Sequence, residues 1–142
     1  MESEFAEVWC KEHHFMKTII HTPHAPAPIG PYSQAVRAGD TLFLSGQIAI
    51  NPATGDYIPA DVTNEAKQVM ANLSAVLQAA GADFSHVVKT SIFLADMADF
   101  QAVNTVYAAH FTGDFPARET VQVSVLPKNA RVEISMIAWL GK

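Results

Sequence analysis

Three polar residues occur where the surrounding sequence is apolar, which makes them candidates for chemistry. Arg118 opens a valine-rich segment, where a guanidinium either binds a carboxylate through two N–H donors or lies exposed at a strand edge. Glu133 lies inside the last apolar segment, where a carboxylate either pairs with a basic neighbour or exchanges a proton with water. Asn104 lies beside the apolar stripe of a predicted helix, so its amide needs a partner, either a neighbouring strand or a ligand.

Two segments nearer the start of the chain supply further candidates. Tyr32 follows Gly30-Pro31 at the beginning of a predicted strand, a position where tyrosine more often serves packing than chemistry. Ser45 and Gly46 are adjacent in the middle of another strand, and a glycine inside a strand often marks a bulge or a close approach of a ligand to the backbone. We keep all three as candidates for a ligand site.

Composition argues against several functional classes. The net charge is −5, from 9 basic and 14 acidic residues, and the basic residues are scattered, which disfavours binding to a nucleic-acid backbone. Cys10 is the single cysteine and the six histidines form no metal-binding motif, so we expect neither a disulfide nor a metal site. Neither a nucleophile elbow nor a phosphate-binding loop is present. Apolar runs are far shorter than the roughly 20 residues of a membrane-spanning helix, so we expect no membrane partner.

The first fifteen residues differ in pattern from the rest of the chain. They mix acidic residues with Phe5, Val8 and Trp9, and they contain no apolar core of the kind found in signal peptides. We interpret residues 1–15 as an N-terminal extension or a tag, and residues 16–142 as one domain. Without a targeting signal, we expect a cytoplasmic protein.

The periodicity of the apolar residues predicts eight elements in the order β-β-β-α-β-α-β-β. Alternation predicts strands at 18–21, 32–38, 41–50, 87–94, 118–125 and 131–139. Helical spacing predicts one helix that ends at Gly81, with Asp61 or Thr63 as its cap. A second helix is expected to begin at Asp96 or Asp99, with an inner stripe of Phe100, Val103, Tyr107 and Phe111. This pattern indicates the α+β class, a mixed sheet with two helices on one face.

The other face of the predicted sheet has no helix to cover it. By alternation it carries Phe43, Ile137 and Trp139 beside the mostly uncharged residues Ser45, Gln47, Thr120, Gln122, Glu133 and Ser135. Only 16% of the chain is charged, whereas an average domain has about 25% charged residues. A neutral, partly apolar sheet face of this kind predicts self-association.

Six short motifs then carry a family resemblance. They are Gly30-Pro31-Tyr32-Ser33-Gln34-Ala35, Leu44-Ser45-Gly46-Gln47-Ile48, Asn51-Pro52 with Thr54-Gly55, Val88-Lys89-Thr90, Phe115-Pro116-Ala117-Arg118, and Leu126-Pro127-Lys128 with Val132-Glu133-Ile134. In this order, from about Lys17 to Ala138, they resemble the RidA (YjgF) family of reactive-intermediate deaminases.

The resemblance implies a fold, an assembly and an activity. The family fold is chorismate-mutase-like, of the ferredoxin-like α+β type, and its members are homotrimers with a central β-barrel and sites in the clefts between subunits. Members of the archetypal subgroup hydrolyse 2-imino acids or their enamine tautomers, such as 2-aminoacrylate, 2-iminopropionate and 2-iminobutyrate, to 2-oxo acids and ammonia. Pyridoxal-phosphate enzymes release these intermediates, but the deaminase itself needs no cofactor. We therefore expect a 2-imino acid as the substrate.

The resemblance also implies roles for individual residues. Arg118 corresponds to the arginine that binds the substrate carboxylate. Glu133 corresponds to the glutamate that positions or activates the attacking water, and Tyr32 to a tyrosine that contacts substrate or water in the cleft. These three residues are the expected catalytic residues.

Four further positions are expected to bind substrate together with Arg118. Ser45 and Gly46 correspond to the strand that forms part of the cleft wall, and Asn104 corresponds to an asparagine on the second helix. Thr120 stands where many members have a cysteine, so its backbone N–H and C=O would hold the substrate and any role for a thiol is absent.

Two other functions remain as alternatives to the deaminase. The first is a non-catalytic trimer that binds small metabolites, which is the expected behaviour of relatives that lack the arginine. The second is a ribonuclease or translation inhibitor, an activity described for some members, which the acidic charge balance disfavours. The presence of Arg118 favours the deaminase over both.

Overall fold

Eight helices and strands follow one another in the predicted order. The computed structural model describes residues 16–141, so the predicted extension at residues 1–15 lies outside the described residues. The elements are β1 (Lys17–Ile20), β2 (Ala35–Ala38), β3 (Thr41–Gln47), α1 (Val62–Ala79), β4 (Val87–Leu94), α2 (Phe100–Ala108), β5 (Ala117–Gln122) and β6 (Val132–Trp139).

Three strand boundaries differ from the prediction by three residues, and the others agree with it to within one residue. The second strand begins at Ala35, so placing Tyr32 at a strand start was wrong; its N–H bonds instead to the Gly30 carbonyl, 2.8 Å away, inside a loop. β3 ends at Gln47 rather than at residue 50. β5 ends at Gln122 rather than at residue 125, because its neighbour β4 ends at Leu94 and offers no further partner.

Both helices begin near the predicted acidic residues. Asp61 caps α1, because its side chain accepts the N–H of Asn64 at 2.9 Å, and Gly81 follows the helix with a φ of +74°. Asp96 caps a short 3-10 turn that precedes α2. α2 ends at Ala108, so Phe111 lies beyond the helix that was predicted to include it, and its ring packs 4.8 Å from the ring of Tyr107.

The six strands form one mixed sheet in the order β1-β2-β3-β6-β4-β5. β4 and β5 pair in parallel, and the other neighbours pair antiparallel. α2 makes the crossover that a parallel pair requires, because it lies between β4 and β5 in the chain. The last strand of the chain therefore lies in the middle of the sheet, between β3 and β4.

Both helices lie on the same face of this sheet. α1 packs against β3 and β6, whose buried residues Leu42, Leu44, Ile134 and Met136 point toward it. Thr90 of β4 is paired with Met136, so it shares that face, and the Tyr107 hydroxyl of α2 donates to Thr90 Oγ1 at 2.9 Å. The predicted two-helix layer is confirmed.

We call the opposite side of the sheet the open face, because no described element covers it. It carries Phe43, Phe93, Val121, Glu133, Ser135, Ile137 and Trp139. Phe43 and Trp139 are each 48% exposed, which is high for aromatic side chains in a sheet. The prediction of an uncovered, partly apolar face is confirmed for Phe43, Glu133, Ser135, Ile137 and Trp139.

Three residues predicted on the open face lie on the helix-covered face instead. Gln47 is paired with Ile134, because β3 bulges between Leu44 and Gln47 and thereby reverses its alternation. Thr120 and Gln122 pair with Ile92 and Leu94, whose side chains are buried under the helices. Their assignment to the open face was wrong, since the relative alternation of different strands depends on pairing that sequence periodicity does not report.

Candidate active site

One cavity brings together four of the predicted site residues. It has a volume of about 310 Å³ and lies where the loop between β1 and β2 meets β3 and β6. Tyr32, Ser45, Gly46 and Glu133 line it, and we call it the Glu133 cavity. An apolar wall completes it, formed by Pro26, Ala27, Ile29, Ile48, Ile50 and Pro127. An apolar wall with a few convergent polar groups is typical of a small-molecule site.

Gly46 leaves the space that the Glu133 carboxyl occupies. A β-carbon at position 46 would lie 2.9 Å from both Cδ and Oε2 of Glu133, so one of the two residues would have to shift. The bulge in β3 is what turns Gly46 toward Glu133 rather than toward the helices. The predicted bulge is therefore confirmed, and the group that approaches Gly46 in this structure is the side chain of Glu133.

Glu119 and Glu133 both lie on the open face, but their carboxyl groups have different surroundings and different pKa shifts. Glu119 accepts from Lys89 Nζ and Ser91 Oγ, each at 2.8 Å, and these contacts lower the pKa of its carboxyl. Glu133 has no ion-pair or hydrogen-bond partner within residues 16–141, and its partial burial raises the pKa of its carboxyl. Glu133 is thus the carboxyl that can take up and release a proton nearer to neutral pH.

The hydroxyl groups of Tyr32 and Ser45 are fixed by the backbone of the same loop. The Tyr32 hydroxyl accepts the N–H of Ile29 at 3.2 Å, which leaves its own proton free to be donated. The Ser45 hydroxyl donates to the Ser33 carbonyl at 2.5 Å, which leaves its oxygen free to accept. These two hydroxyl groups therefore leave one donor and one acceptor free in the cavity that the Glu133 carboxyl also lines.

Gln34 holds the loop that forms this wall, and sequence reasoning missed it. Its Nε2 lies within 3.2 Å of the carbonyls of Thr22, Ala25 and Pro26, and its Oε1 accepts the Thr22 N–H at 2.7 Å. The side chain is almost completely buried. The available signal was the run of prolines at 23–31, because prolines cannot donate to the carbonyls around them and a buried loop needs a donor from elsewhere.

A second cavity holds Arg118 and Asn104, and we call it the Arg118 cavity. Its volume is about 280 Å³, and its other lining residues are Tyr107, Ala108, Phe115 and Pro116. The Arg118 guanidinium carbon lies 5.1 Å from the ring centroid of Tyr107 and 5.7 Å from that of Phe100. The two predicted residues are thus brought together between α2 and the start of β5.

Arg118 and Asn104 keep their hydrogen-bonding capacity for a ligand. No carboxylate among residues 16–141 lies within ion-pair distance of Arg118, and Asn104 makes no side-chain hydrogen bond to that part of the chain. The link between helix and strand that was the alternative role for Asn104 is made instead by Tyr107, whose hydroxyl donates to Thr90. An unpaired guanidinium in a cavity is suited to bind an anion.

Thr120 lies in neither cavity. It follows Arg118 by two residues on β5 and points to the same side of the sheet, opposite Ile92. Its Oγ1 is buried without a hydrogen-bond partner among the described residues, so the bonding capacity of this hydroxyl is unused within a single chain. The predicted role of the Thr120 backbone stays a prediction. β5 is an edge strand, so backbone groups on its outer edge have no partner strand within residues 16–141.

The two cavities lie on opposite faces of one sheet. Arg118 and Met136 both pair with Thr90, so Arg118 points to the helix-covered face. Glu133 pairs with Phe93 and points to the open face. The seven predicted residues are therefore not assembled into one site within a single chain.

Residues 16–141 contain neither a metal-binding group nor a membrane-spanning helix. No group of three or more His, Cys, Asp or Glu side chains in this range is arranged to hold a metal ion. No helix in this range combines the length and the apolar character needed to cross a bilayer.

Sequence comparison finds close relatives along nearly the whole chain. Residues 22–140 match the family described as Endoribonuclease L-PSP. The mouse protein named 2-iminobutanoate/2-iminopropanoate deaminase is 49% identical over 126 residues, which cover 89% of this chain and 93% of the mouse protein.

Solved structures of similar proteins share the fold. YyfA from Yersinia pestis, described as a protein of the conserved Rid family, superposes with a TM-score of 0.85 at 48% identity, over 87% of this chain and 99% of its own. TdcF from E. coli, solved with bound serine, superposes with a TM-score of 0.82 at 40% identity, over 87% of this chain and 99% of its own. The α+β arrangement predicted from the sequence is confirmed by these similarities.

Proposed function

Because the chain belongs to the RidA family, described also as Endoribonuclease L-PSP, we propose that it is a 2-iminobutanoate/2-iminopropanoate deaminase. In this reaction water adds to the C=N carbon of a 2-imino acid, the C–N bond breaks, and a 2-oxo acid and ammonia are released. The observation in the structure that carries the proposal is Glu133, a carboxyl of raised pKa that has no partner among the described residues and lines a cavity together with the free hydroxyl donor of Tyr32.

Glu133 is proposed to transfer the protons of this hydrolysis. A carboxylate at this position accepts a proton from water while the oxygen attacks C2, and it then gives the proton to the departing nitrogen. A raised pKa suits both steps, because the group must gain and lose a proton within one turnover. Tyr32 and Ser45 supply a donor and an acceptor that orient the water or the substrate.

Arg118 is proposed to bind the substrate carboxylate. Its guanidinium carries a permanent charge and has no carboxylate partner among the described residues. Asn104 lies in the same cavity and supplies amide groups for the ligand. A protonated imine is already electrophilic, so orientation by the arginine and one placed water does much of the catalytic work.

We infer that a complete site needs two copies of the chain. Arg118 and Glu133 point to opposite faces of the sheet in one copy, so the Arg118 cavity of one copy must meet the Glu133 cavity of another. The partly apolar open face supports such an association, since its exposed aromatic side chains would be buried by it. The proposed assembly is a homotrimer with its sites between subunits, as the resemblance to the family implies.

The setting that we propose is the cytoplasm, beside pyridoxal-phosphate enzymes that release 2-imino acids. The deciding assay uses threonine dehydratase to generate 2-iminobutanoate and semicarbazide to trap the imine that survives. The protein should accelerate release of the 2-oxo acid and lower the yield of trapped imine. No effect at a stoichiometric amount of protein would contradict a deaminase.

A mixing experiment tests the proposed sharing of the site. Arg118→Ala and Glu133→Gln are each expected to be nearly inactive, but refolding them together at equal amounts should restore activity. With random assembly, about a quarter of the sites would combine an intact Arg118 from one copy with an intact Glu133 from another. No recovery in oligomers that sedimentation shows to be mixed would contradict a site between copies.

A binding module without catalysis is the second candidate, and the bound serine in TdcF is the observation that favours it. The coupled assay separates the two functions, because a binding module would hold the imine or its product without accelerating hydrolysis. Isothermal titration with serine and with 2-oxobutanoate would then show binding in a protein that fails the assay.

A further inference from the structure

The Arg118 guanidinium lies against two aromatic rings whose role is not explained by the site described above. Its Cζ is 5.1 Å from the Tyr107 centroid and 5.7 Å from the Phe100 centroid. Phe100 and Tyr107 both belong to α2 and are seven residues apart, so their side chains lie on one stripe of the helix, two turns apart. The helix thus presents a pair of rings to a single charged side chain on β5.

Two physical effects follow from this arrangement. A guanidinium within about 6 Å of an aromatic centroid is attracted by the electron-rich face of the ring. An arginine side chain also has many rotamers, and fixing one of them on ligand binding costs free energy. Rings that hold the guanidinium before the ligand arrives reduce that cost, which is the effect called preorganisation.

We propose that Phe100 and Tyr107 are positioning residues that hold Arg118 ready for a carboxylate ligand in the Arg118 cavity. The rings take no hydrogen bond from the guanidinium, so its N–H donors remain available to the ligand. The identity of that ligand as a 2-imino acid rests on the proposed function. The positioning itself rests on the contacts between α2 and Arg118.

The two rings differ in what else they support. Tyr107 is 4% exposed, and its hydroxyl bonds to Thr90, so this residue also belongs to the core. Phe100 is 38% exposed at the start of α2 and does not belong to the hydrophobic core of residues 16–141, so its replacement should disturb folding less. Phe100 is therefore the position at which the positioning can be tested apart from stability.

The test compares Phe100→Leu with Tyr107→Phe and uses 2-oxobutanoate as a stable carboxylate probe. Loss of the Phe100 ring should weaken binding of the probe about threefold to tenfold and raise KM for 2-iminobutanoate by a similar factor. The value of kcat should stay within about twofold, since the ring does not touch the reacting atoms. Tyr107→Phe keeps the ring but loses the bond to Thr90, so it should lower Tm and weaken binding of the probe less than Phe100→Leu does.

Rescue by another ring distinguishes positioning from general packing. Phe100→Trp should keep the Kd for 2-oxobutanoate and the KM for 2-iminobutanoate of the original protein, because tryptophan offers the strongest aromatic face to a cation. Phe100→Met has no ring, so it should raise both constants as Phe100→Leu does. Binding of 2-oxobutanoate as tight as in the original protein, in either Phe100→Leu or Phe100→Met, would overturn the inference.

The outcomes also separate this inference from the proposed function. If the unmodified protein binds 2-oxobutanoate but hydrolyses no imine, the deaminase proposal fails and the binding comparison still decides the role of the rings. If the protein hydrolyses imines and Phe100→Leu behaves as the unmodified protein does in both assays, the deaminase proposal stands and the positioning role is refuted.

Discussion

The Arg118 cavity and the Glu133 cavity hold opposite charges in physically different ways. In the first, a permanent positive charge lies against two aromatic rings and has no carboxylate partner among the described residues. In the second, the Glu133 carboxyl is partly removed from water and has no counter-charge within residues 16–141, so its proton is held more tightly than usual. The comparison teaches that the charge of Arg118 is constant whereas the charge of Glu133 is reversible, which suits the proposed roles of the first in binding and of the second in proton transfer.

The largest expected effect comes from the reversible charge. Glu133→Gln should lower kcat about a hundredfold or more, because the amide cannot accept a proton from water, and should change KM little. The coupled deamination assay gives both constants. Glu119→Gln is the matched control on the same face, since Glu119 is already paired with Lys89. An unaltered kcat in Glu133→Gln would contradict the contrast drawn between the two cavities.

Loss of the permanent charge of Arg118 should weaken the binding of substrate. Arg118→Ala is expected to lower kcat/KM by about thirtyfold to a few thousandfold, the equivalent of roughly 2–5 kcal/mol, because a buried charge pair with the substrate carboxylate is lost. Arg37→Ala is the control, since Arg37 is an exposed arginine that pairs with Asp40 at the β2–β3 turn. Arg118→Lys should recover only part of the loss, because an ammonium lacks the planar pair of donors. Full activity in Arg118→Ala would refute the assignment.

Gly46→Ala changes the Glu133 cavity and leaves the Arg118 cavity as it is, so it tests the Glu133 cavity separately. The added methyl group would meet the Glu133 carboxyl at 2.9 Å, so the carboxyl should move and kcat should fall about tenfold. Gly30→Ala is the control, because a β-carbon there meets the Tyr32 ring at an ordinary 3.5 Å. Equal activity of the two variants would show that the position of the Glu133 carboxyl is not critical.

The smallest expected effect is on stability. The pKa of Glu133 is raised above its ordinary value of 4.5 in the folded chain, so the folded state holds this proton more tightly than the unfolded state does. Burying the charged form of Glu133 lowers the free energy of unfolding. This loss of stability is absent below about pH 4.5 and grows as pH rises through the raised pKa. Glu133→Gln should have a higher Tm than the unmodified protein at pH 8 and the same Tm at pH 4, as measured by calorimetry. A constant difference across pH would contradict the raised pKa.

Local signals were sufficient to predict the elements. The cap at Asp61 and the glycine at position 81 fixed the ends of α1, because both act within one turn of the helix. The alternation at 132–138 predicted the buried side of β6 for the same reason, since each strand reports its own period. The order of the eight elements follows from such signals alone.

Non-local contacts explain the residues that were misplaced or missed. The pairing of β5 with β4 determines the side of the sheet on which Thr120 lies. For Gln47 that side is determined by a bulge of β3 against β6. Gln34 acts on carbonyls 8 to 12 residues away in a loop without periodicity. The division of the seven predicted site residues between two faces likewise follows from strand pairing and not from spacing along the chain.

The position of β6 in the middle of the sheet has a consequence for the order of folding. β3 and β6 pair residues such as Phe43 and Ile137, which are more than ninety positions apart, so this pairing carries a high loop-closure cost and should form late. During synthesis the edge of β3 opposite β2 stays unpaired until β6 has been made. Gly46 and Glu133 meet across that same pairing, so the Glu133 cavity cannot exist before the last strand has been inserted.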